Sequence, residues 1–270
     1  WARACAAQPS RCWNSCPRRI EARTHQRMNV PARHWVVVRL GTAQTLAWAS
    51  SYYLPALLAQ PMARDLGVGT STIFAAFSLA LVVSALLGPL AGHAIDRHGG
   101  RPVLLGTNLL FAAGLGALAL AQGPVGLFAA WALIGIAMGS GLYEAAFATL
   151  VRLYGQGARG AITGITLVAG FASTVGWPLT AWMEATWDWR GACAGWAALH
   201  LLLGLPLNAW LPRARLRPAP PAPAPPDLAT PPEAPVPHAR RTALLLSFVF
   251  AATWFTSTAM AAHLPRLLQA

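Results

Sequence analysis

The chain has 270 residues, 56% of them hydrophobic and only 10% charged, against roughly 45–50% and about 25% in ordinary soluble proteins. Its twenty basic residues are all arginine and face eight acidic ones, a formal charge of +12. So few charges cannot cover a soluble domain of this size, and so much apolar sequence excludes a chain disordered throughout; a polytopic membrane protein accounts for both.

The first 34 residues form a basic tail with seven arginines. It opens on Trp1, while Met28 is a natural start just before the first span, so residues 1–27 need not be native. Cys5, Cys12 and Cys16 lack the paired spacing and the fourth ligand of a zinc cluster, and read as free thiols. No signal peptide fits, because the first apolar run is too long for one.

A helix crosses about 30 Å of hydrocarbon with about 20 residues. Charge-poor runs predict seven spans, at 36–59, 71–94, 102–121, 125–149, 160–183, 190–210 and 242–262, with a tight turn at Gln122, Gly123 and Pro124. Segments such as LALVVSALLG do not alternate, which excludes a porin-like barrel. The fold class is therefore an all-α membrane protein. Sixteen arginines fall in the amino-terminal tail and the loops after even spans, against two in the loops after odd spans. The positive-inside rule then makes the tail and the even loops cytoplasmic. The basic charge is topology with some attraction to membrane lipid, and no nucleic-acid partner is expected.

Between spans 6 and 7, residues 212–241 carry PAPPAPAPPDLATPPEAPVP, whose proline density precludes a regular helix and predicts a cytoplasmic linker. Residues 35–211 then make an amino-terminal six-helix bundle, and residues 242–270 supply a seventh helix, with Pro265 and Arg266 marking an end or a bend. One helix after a long linker leads us to expect a truncated carboxyl-terminal bundle.

The loop after span 2 reads Gly88-Pro-Leu-Ala-Gly92-His-Ala-Ile-Asp96-Arg97-His-Gly99-Gly-Arg101-Pro102. Here Gly92 is expected to let two helices approach. Asp96 ends the span with a charge, Gly99 permits a tight connection, and Pro102 suits the first turn of the next helix. This loop resembles the G-x3-D-[RK]-x-G-x-[RK] signature of the major facilitator superfamily of secondary transporters, at Gly92, Asp96, Arg97, Gly99 and Arg101. Span 5, with Gly164, Gly170, Gly176 and Pro178, is similar to that superfamily's Gly/Pro-rich fifth helix, and Asp188-Trp189-Arg190-Gly191 to the entry of its sixth. The likeness covers about residues 35–263. Within it, Ser50 to Pro55 and Gly139 to Glu144 look most like the oxalate/formate antiporter and monocarboxylate-transporter-like branch. Where many proton-linked members carry an arginine four residues before a glycine of span 4, this chain has Trp131.

The resemblance implies a six-helix bundle facing a second bundle across a central cavity, with helices 1, 2, 4 and 5 lining it. On that plan the substrate and coupling candidates are Arg39, Gln44, Trp48, Tyr52, Tyr53, Glu144, Thr166 and Thr174, joined by Thr45, Ser84 and Ser173. Gly92, Asp96, Arg97, Gly99 and Arg101 would form the conformational switch. Glu144 lies inside span 4, where a charge is costly unless hydrated or paired, so it is expected to face the cavity. Arg39 either snorkels to headgroups or acts on substrate. His200, in the middle of span 6, is expected to bond a neighbour rather than relay protons.

No nucleotide-binding loop, Ser-His-Asp set or HExxH motif occurs, so neither an enzyme nor any cofactor or metal is expected. The implied partner is a small-molecule solute, with a coupling proton or counter-substrate, and the absent carboxyl-terminal half is expected to be required. A small organic anion, a monocarboxylate or dicarboxylate, leads. Efflux of an amphipathic drug, and a truncated protein that does not transport, are the alternatives.

Overall fold

The computed structural model describes residues 33–212 and 239–267. The tail with its three cysteines and most of the proline-rich linker lie outside the described residues. Among these residues every regular element is helical.

Helix α1 (Arg33–Ser50) and helix α2 (Leu54–Asp65) replace the single first span. Pro55 sits at the start of α2, and its ring would clash with the carbonyl four residues back if the helix ran on. The hydroxyl of Ser51 donates to the carbonyl of Ala47 at 2.6 Å, and the N–H of Tyr53 reaches back to Trp48 O at 3.2 Å. Residues 51–53 therefore form a break inside the span. Helix α3 (Thr70–His98) follows, and Gly99 alone, at φ 87°, joins it to α4 (Gly100–Ala119). That left-handed backbone favours glycine, as the tight connection required. The turn at 122–124 lies where expected, and Pro124 opens α5 (Pro124–Gly141).

The fourth span is also divided. Leu142 is extended, and α6 (Tyr143–Tyr154) starts after it. A 3-10 turn over Gly155–Ala158 leads into α7 (Arg159–Ala169), and a break at Gly170 and Phe171 precedes α8 (Ala172–Leu199). Spans 5 and 6 have no loop between them: within α8 only Asp188, at φ 64°, leaves helical geometry. With ψ at −179° this is a region essentially restricted to glycine, so Asp188 is held there under strain. Its carboxylate accepts the N–H groups of Arg190 at 2.6 Å and Gly191 at 3.0 Å, capping the helical run that follows. A π turn over His200–Gly204 and α9 (Leu205–Ala209) complete the sixth span. Helix α10 (Ala239–Leu267) runs on through Pro265, which neither ends it nor marks a boundary.

Three helical stretches, Thr70–His98, Gly100–Ala119 and the interrupted run Pro124–Ala209, are long and apolar enough to cross a membrane. Neither α1 nor α2 alone matches them, because the break at 51–53 divides their span. The tightest packing is between α3 and α5. A Cβ added at Gly135 would stand 2.5 Å from the carbonyl oxygen of Ala80, and one at Gly139 would stand 2.7 Å from that of Ser84. Close approach of this kind needs small residues one helical turn apart. At the other end of α3, a Cβ at Gly100 would overlap the hydroxyl of the buried Thr149. Gly92 behaves differently from expectation: nothing among the described residues lies within 4 Å of a Cβ built there. In the motif loop it is Gly100, one residue past Gly99, that lets two helices meet.

Candidate functional site

The two breaks converge on one aromatic cluster. Trp48 stands at the end of α1, Tyr52 and Tyr53 in the break after it, and Tyr143 opens α6 after Leu142. The Trp48 ring lies 5.2 Å from that of Tyr52, 6.5 Å from Tyr53 and 4.8 Å from Tyr143. Trp254 of α10 stacks on it at 6.0 Å with the planes 12° apart. Phe77 backs Tyr52 at 5.8 Å, Trp177 meets Tyr53 edge-on at 6.1 Å, and Phe147 stacks on Tyr143 at 5.3 Å. Offset and edge-to-face pairs at these distances are favourable beyond their buried area. The indole nitrogens of Trp48 and Trp177 are buried without a hydrogen-bond acceptor among the described residues. Such a donor is costly unless something outside the fold accepts its hydrogen.

Glu144 adjoins this cluster. The break at Leu142 puts it in the first turn of α6, exposed, where free backbone N–H groups and the helix dipole favour a carboxylate. It makes no ion pair among the described residues.

The other candidates are elsewhere. Arg39 donates to Trp210 O at 3.2 Å with its guanidinium 5.6 Å from that indole, which ties the start of α1 to the end of α9. Gln44 is 2% exposed and donates to Gly141 O at 2.7 Å, so it faces the bundle interior and joins α1 to α5. Thr45 bonds Gly41 O and Val168 O. Thr166 is exposed and bonds the carbonyl of Ile162 in its own helix, and Thr174 is exposed on α8. None of these five belongs to the aromatic cluster. Trp131 is wholly buried and packs edge-on against Phe77 at 5.4 Å, so the position of the family's arginine is filled by core.

In the motif, Asp96, Arg97 and His98 are exposed at the end of α3. Arg152, from the end of α6, donates to the main-chain carbonyl of Asp96, one of the terminal carbonyls a helix leaves unpaired. Asp96 is thus engaged through its backbone while its carboxylate stays outside. At the opposite end of the bundle, Arg190 donates to Asp65 Oδ2 at 2.9 Å and to Ala119 O at 2.7 Å, and lies 4.4 Å from the Trp189 ring. Trp189 adds its own N–H to Asp65 at 3.2 Å.

His200 bonds neighbours as expected, in a buried polar chain whose other members, Ser50 and Asn108, sequence reasoning did not name as its partners. His200 is 1% exposed and stacks on Phe111 at 4.7 Å. Its Nε2 is 2.7 Å from Ser50 Oγ and its Nδ1 is 3.0 Å from Asn108 Oδ1. Asn108 commits its amide nitrogen to Leu104 O at 2.8 Å and so offers His200 only oxygen. A neutral His200 therefore carries its proton on Nδ1 and accepts from Ser50. Gly204 makes room for the Asn108 amide, which a Cβ there would strike. Asn108, beside Thr107, interrupts an otherwise apolar α4, and an amide at mid-span was the available signal.

The model of the Major Facilitator Superfamily matches residues 40–270. A protein of Thermoproteus tenax described as "Uncharacterized 38 kDa protein in 23S RNA operon" is 34% identical over 153 residues, 56% of this chain and 40% of that one. The chain thus spans about two fifths of that relative's length. The family match takes in the motif loop, both broken spans and the aromatic cluster between them, and the chain belongs to the Major Facilitator Superfamily.

Proposed function

We propose that this bundle is one half of a secondary transporter that moves a small organic anion, a monocarboxylate or dicarboxylate, by alternating access around the Trp48 cluster. The observation that carries the reading is the unaccepted indole N–H of Trp48 beside Tyr52, Tyr53 and Tyr143. Hydrogen-bond donors on flat apolar rings suit a solute with acceptor oxygens and little bulk. Likeness to the oxalate/formate and monocarboxylate branch supports the same class. The amino terminus and even loops face the cytoplasm, as sixteen arginines against two imply. A reporter near Ala185 should then label from outside and one in the 212–241 loop from inside. Alternating access requires a second bundle to rock against this one, and a coupling proton or counter-substrate to drive it.

A second reading, efflux of an amphipathic cation, is favoured by one observation: Glu144 is exposed next to Tyr143. Ligand-induced thermal stabilisation of the purified chain separates the two, since any ligand bound only by the folded state raises its unfolding midpoint. The first reading expects carboxylates to stabilise the wild type and to lose that effect in Trp48→Phe, which keeps a ring and deletes the N–H. Stabilisation by lipophilic cations alone, abolished in Glu144→Gln, would establish the second reading. No response to either class would defeat both.

A further inference from the structure

A small cavity separates α1, α4 and α9, away from the aromatic cluster. Its volume is about 10 Å³, and Gln44, Leu104, Thr107, Asn108, Phe111 and Asn208 are among the residues around it. Gln44 is 2% exposed and Asn208 4%. Gln44 spends its amide N–H on Gly141 O, which leaves Oε1 with no donor, and Asn208 Oδ1 has none either. Neither oxygen has a donor within hydrogen-bond distance among the described residues: Thr107 gives its single hydroxyl hydrogen to carbonyls or to Ser140, and Asn108 turns its amide nitrogen to Leu104 O. Buried acceptors are almost always satisfied, by protein or by ordered water.

We propose that this cavity is a binding site for one water molecule, which donates one hydrogen to Gln44 Oε1 and the other to Asn208 Oδ1. Three requirements meet there. The volume accommodates a single water. The two acceptors match its two hydrogens, and both belong to side chains fixed by burial. The water joins α1 to α9 at a level where the described residues offer no direct side-chain bond between them. Asn108 and Phe111 border the cavity and also hold His200. The joint therefore extends the Ser50–His200–Asn108 chain, and α1 is tied to the sixth span both directly and through water.

The test is radiolytic hydroxyl labelling of the purified chain in lipid nanodiscs, with mass spectrometry of the tryptic and chymotryptic fragments. A bound water yields hydroxyl radical in place, so Leu104 and Phe111 should be oxidised although they are about 1% exposed, whereas the equally buried Leu58 and Ile73 should not. Asn208→Leu should abolish the Leu104 and Phe111 signal. It should also lower the unfolding midpoint, because it expels the water and leaves Gln44 Oε1 buried without a donor; in a dry joint the same change removes an unsatisfied acceptor and raises the midpoint. Labelling at Leu104 and Phe111 no greater than at Leu58 and Ile73 overturns the proposal, whether or not the variant folds. So does a wild-type signal that disappears when sodium replaces N-methylglucamine in the buffer, which would assign the two oxygens to a cation.

Discussion

The contact between α3 and α5 is a sensitive place to perturb the bundle, because main chain there meets main chain. Gly135→Ala places a methyl group 2.5 Å from Ala80 O and 2.8 Å from its Cα; Gly139→Ala places one 2.7 Å from Ser84 O and 3.1 Å from its Cα. Ordinary contact begins near 3.4 Å, and the obstructing atoms are main chain, so no rotamer change gives relief. The helices must separate, which also pulls Trp131 from Phe77. Overpacking a well-filled contact costs about 1–3 kcal/mol, while alanine recovers about 0.8–1.0 kcal/mol of helix propensity. The net expectation for Gly135→Ala is a loss of up to about 2 kcal/mol. With a shift of roughly 2–4 °C per kcal/mol for a chain of this size, the midpoint should fall by several degrees. The double variant should cost less than the sum of the two, because one separation serves both methyl groups. Gly106→Ala and Gly116→Ala are the controls. Each gains the same propensity, and a Cβ there meets nothing within 4 Å. Thermal unfolding in one detergent, followed by near-ultraviolet circular dichroism, measures the five variants beside the wild type. A Gly135→Ala protein as stable as Gly106→Ala would show that α3 and α5 are not in backbone contact.

Three further outcomes follow from the geometry. Asp65→Asn should cost less than Arg190→Ala in unfolding free energy: the pair is partly exposed and worth about 0.2–1 kcal/mol, whereas losing Arg190 also strips the donor from Ala119 O. The reverse ranking in denaturant titrations would refute the clamp. His200→Phe keeps a ring against Phe111 but forfeits the bonds to Ser50 and Asn108; at about 0.6 kcal/mol for an average interhelical bond, it should destabilise by about 1–2 kcal/mol, and a neutral result in the same assay would remove His200 from the account. Asp96→Asn should insert and fold like the wild type, since Arg152 holds its carbonyl, yet slow solute flux where the complete transporter is assayed. Equal flux at equal expression would show that the exposed carboxylate has no role in switching.

How far the sequence could be read depended on the range of each interaction. The Gly99 connection and the Pro124 turn follow from local backbone chemistry and are where expected, whereas the first and fourth spans are each divided and the fifth runs into the sixth. The breaks at 51–53 and Leu142 are local too, but hydropathy averages across them. Pro55, with Ser50 and Ser51 five and four residues before it, was the sign for the first; for Leu142 only the run Gly139, Ser140, Gly141 offered one. What lies on each side of a helix is not local. Gln44, Thr45 and Thr166 have the residue types of a solute site, yet their hydrogens go to Gly141, Val168 and Ile162, because in an apolar medium a polar side chain takes the nearest carbonyl. Trp48, Tyr52 and Tyr53 could be grouped from the sequence because they lie within six residues at one helix end. Tyr143, Trp177 and Trp254 join them only through helix packing. The same limit explains the motif loop. A pattern of glycines marks where helices come close, but which glycine makes the contact depends on the partner. Thr149 of α6 selects Gly100 and leaves Gly92 facing open space among the described residues.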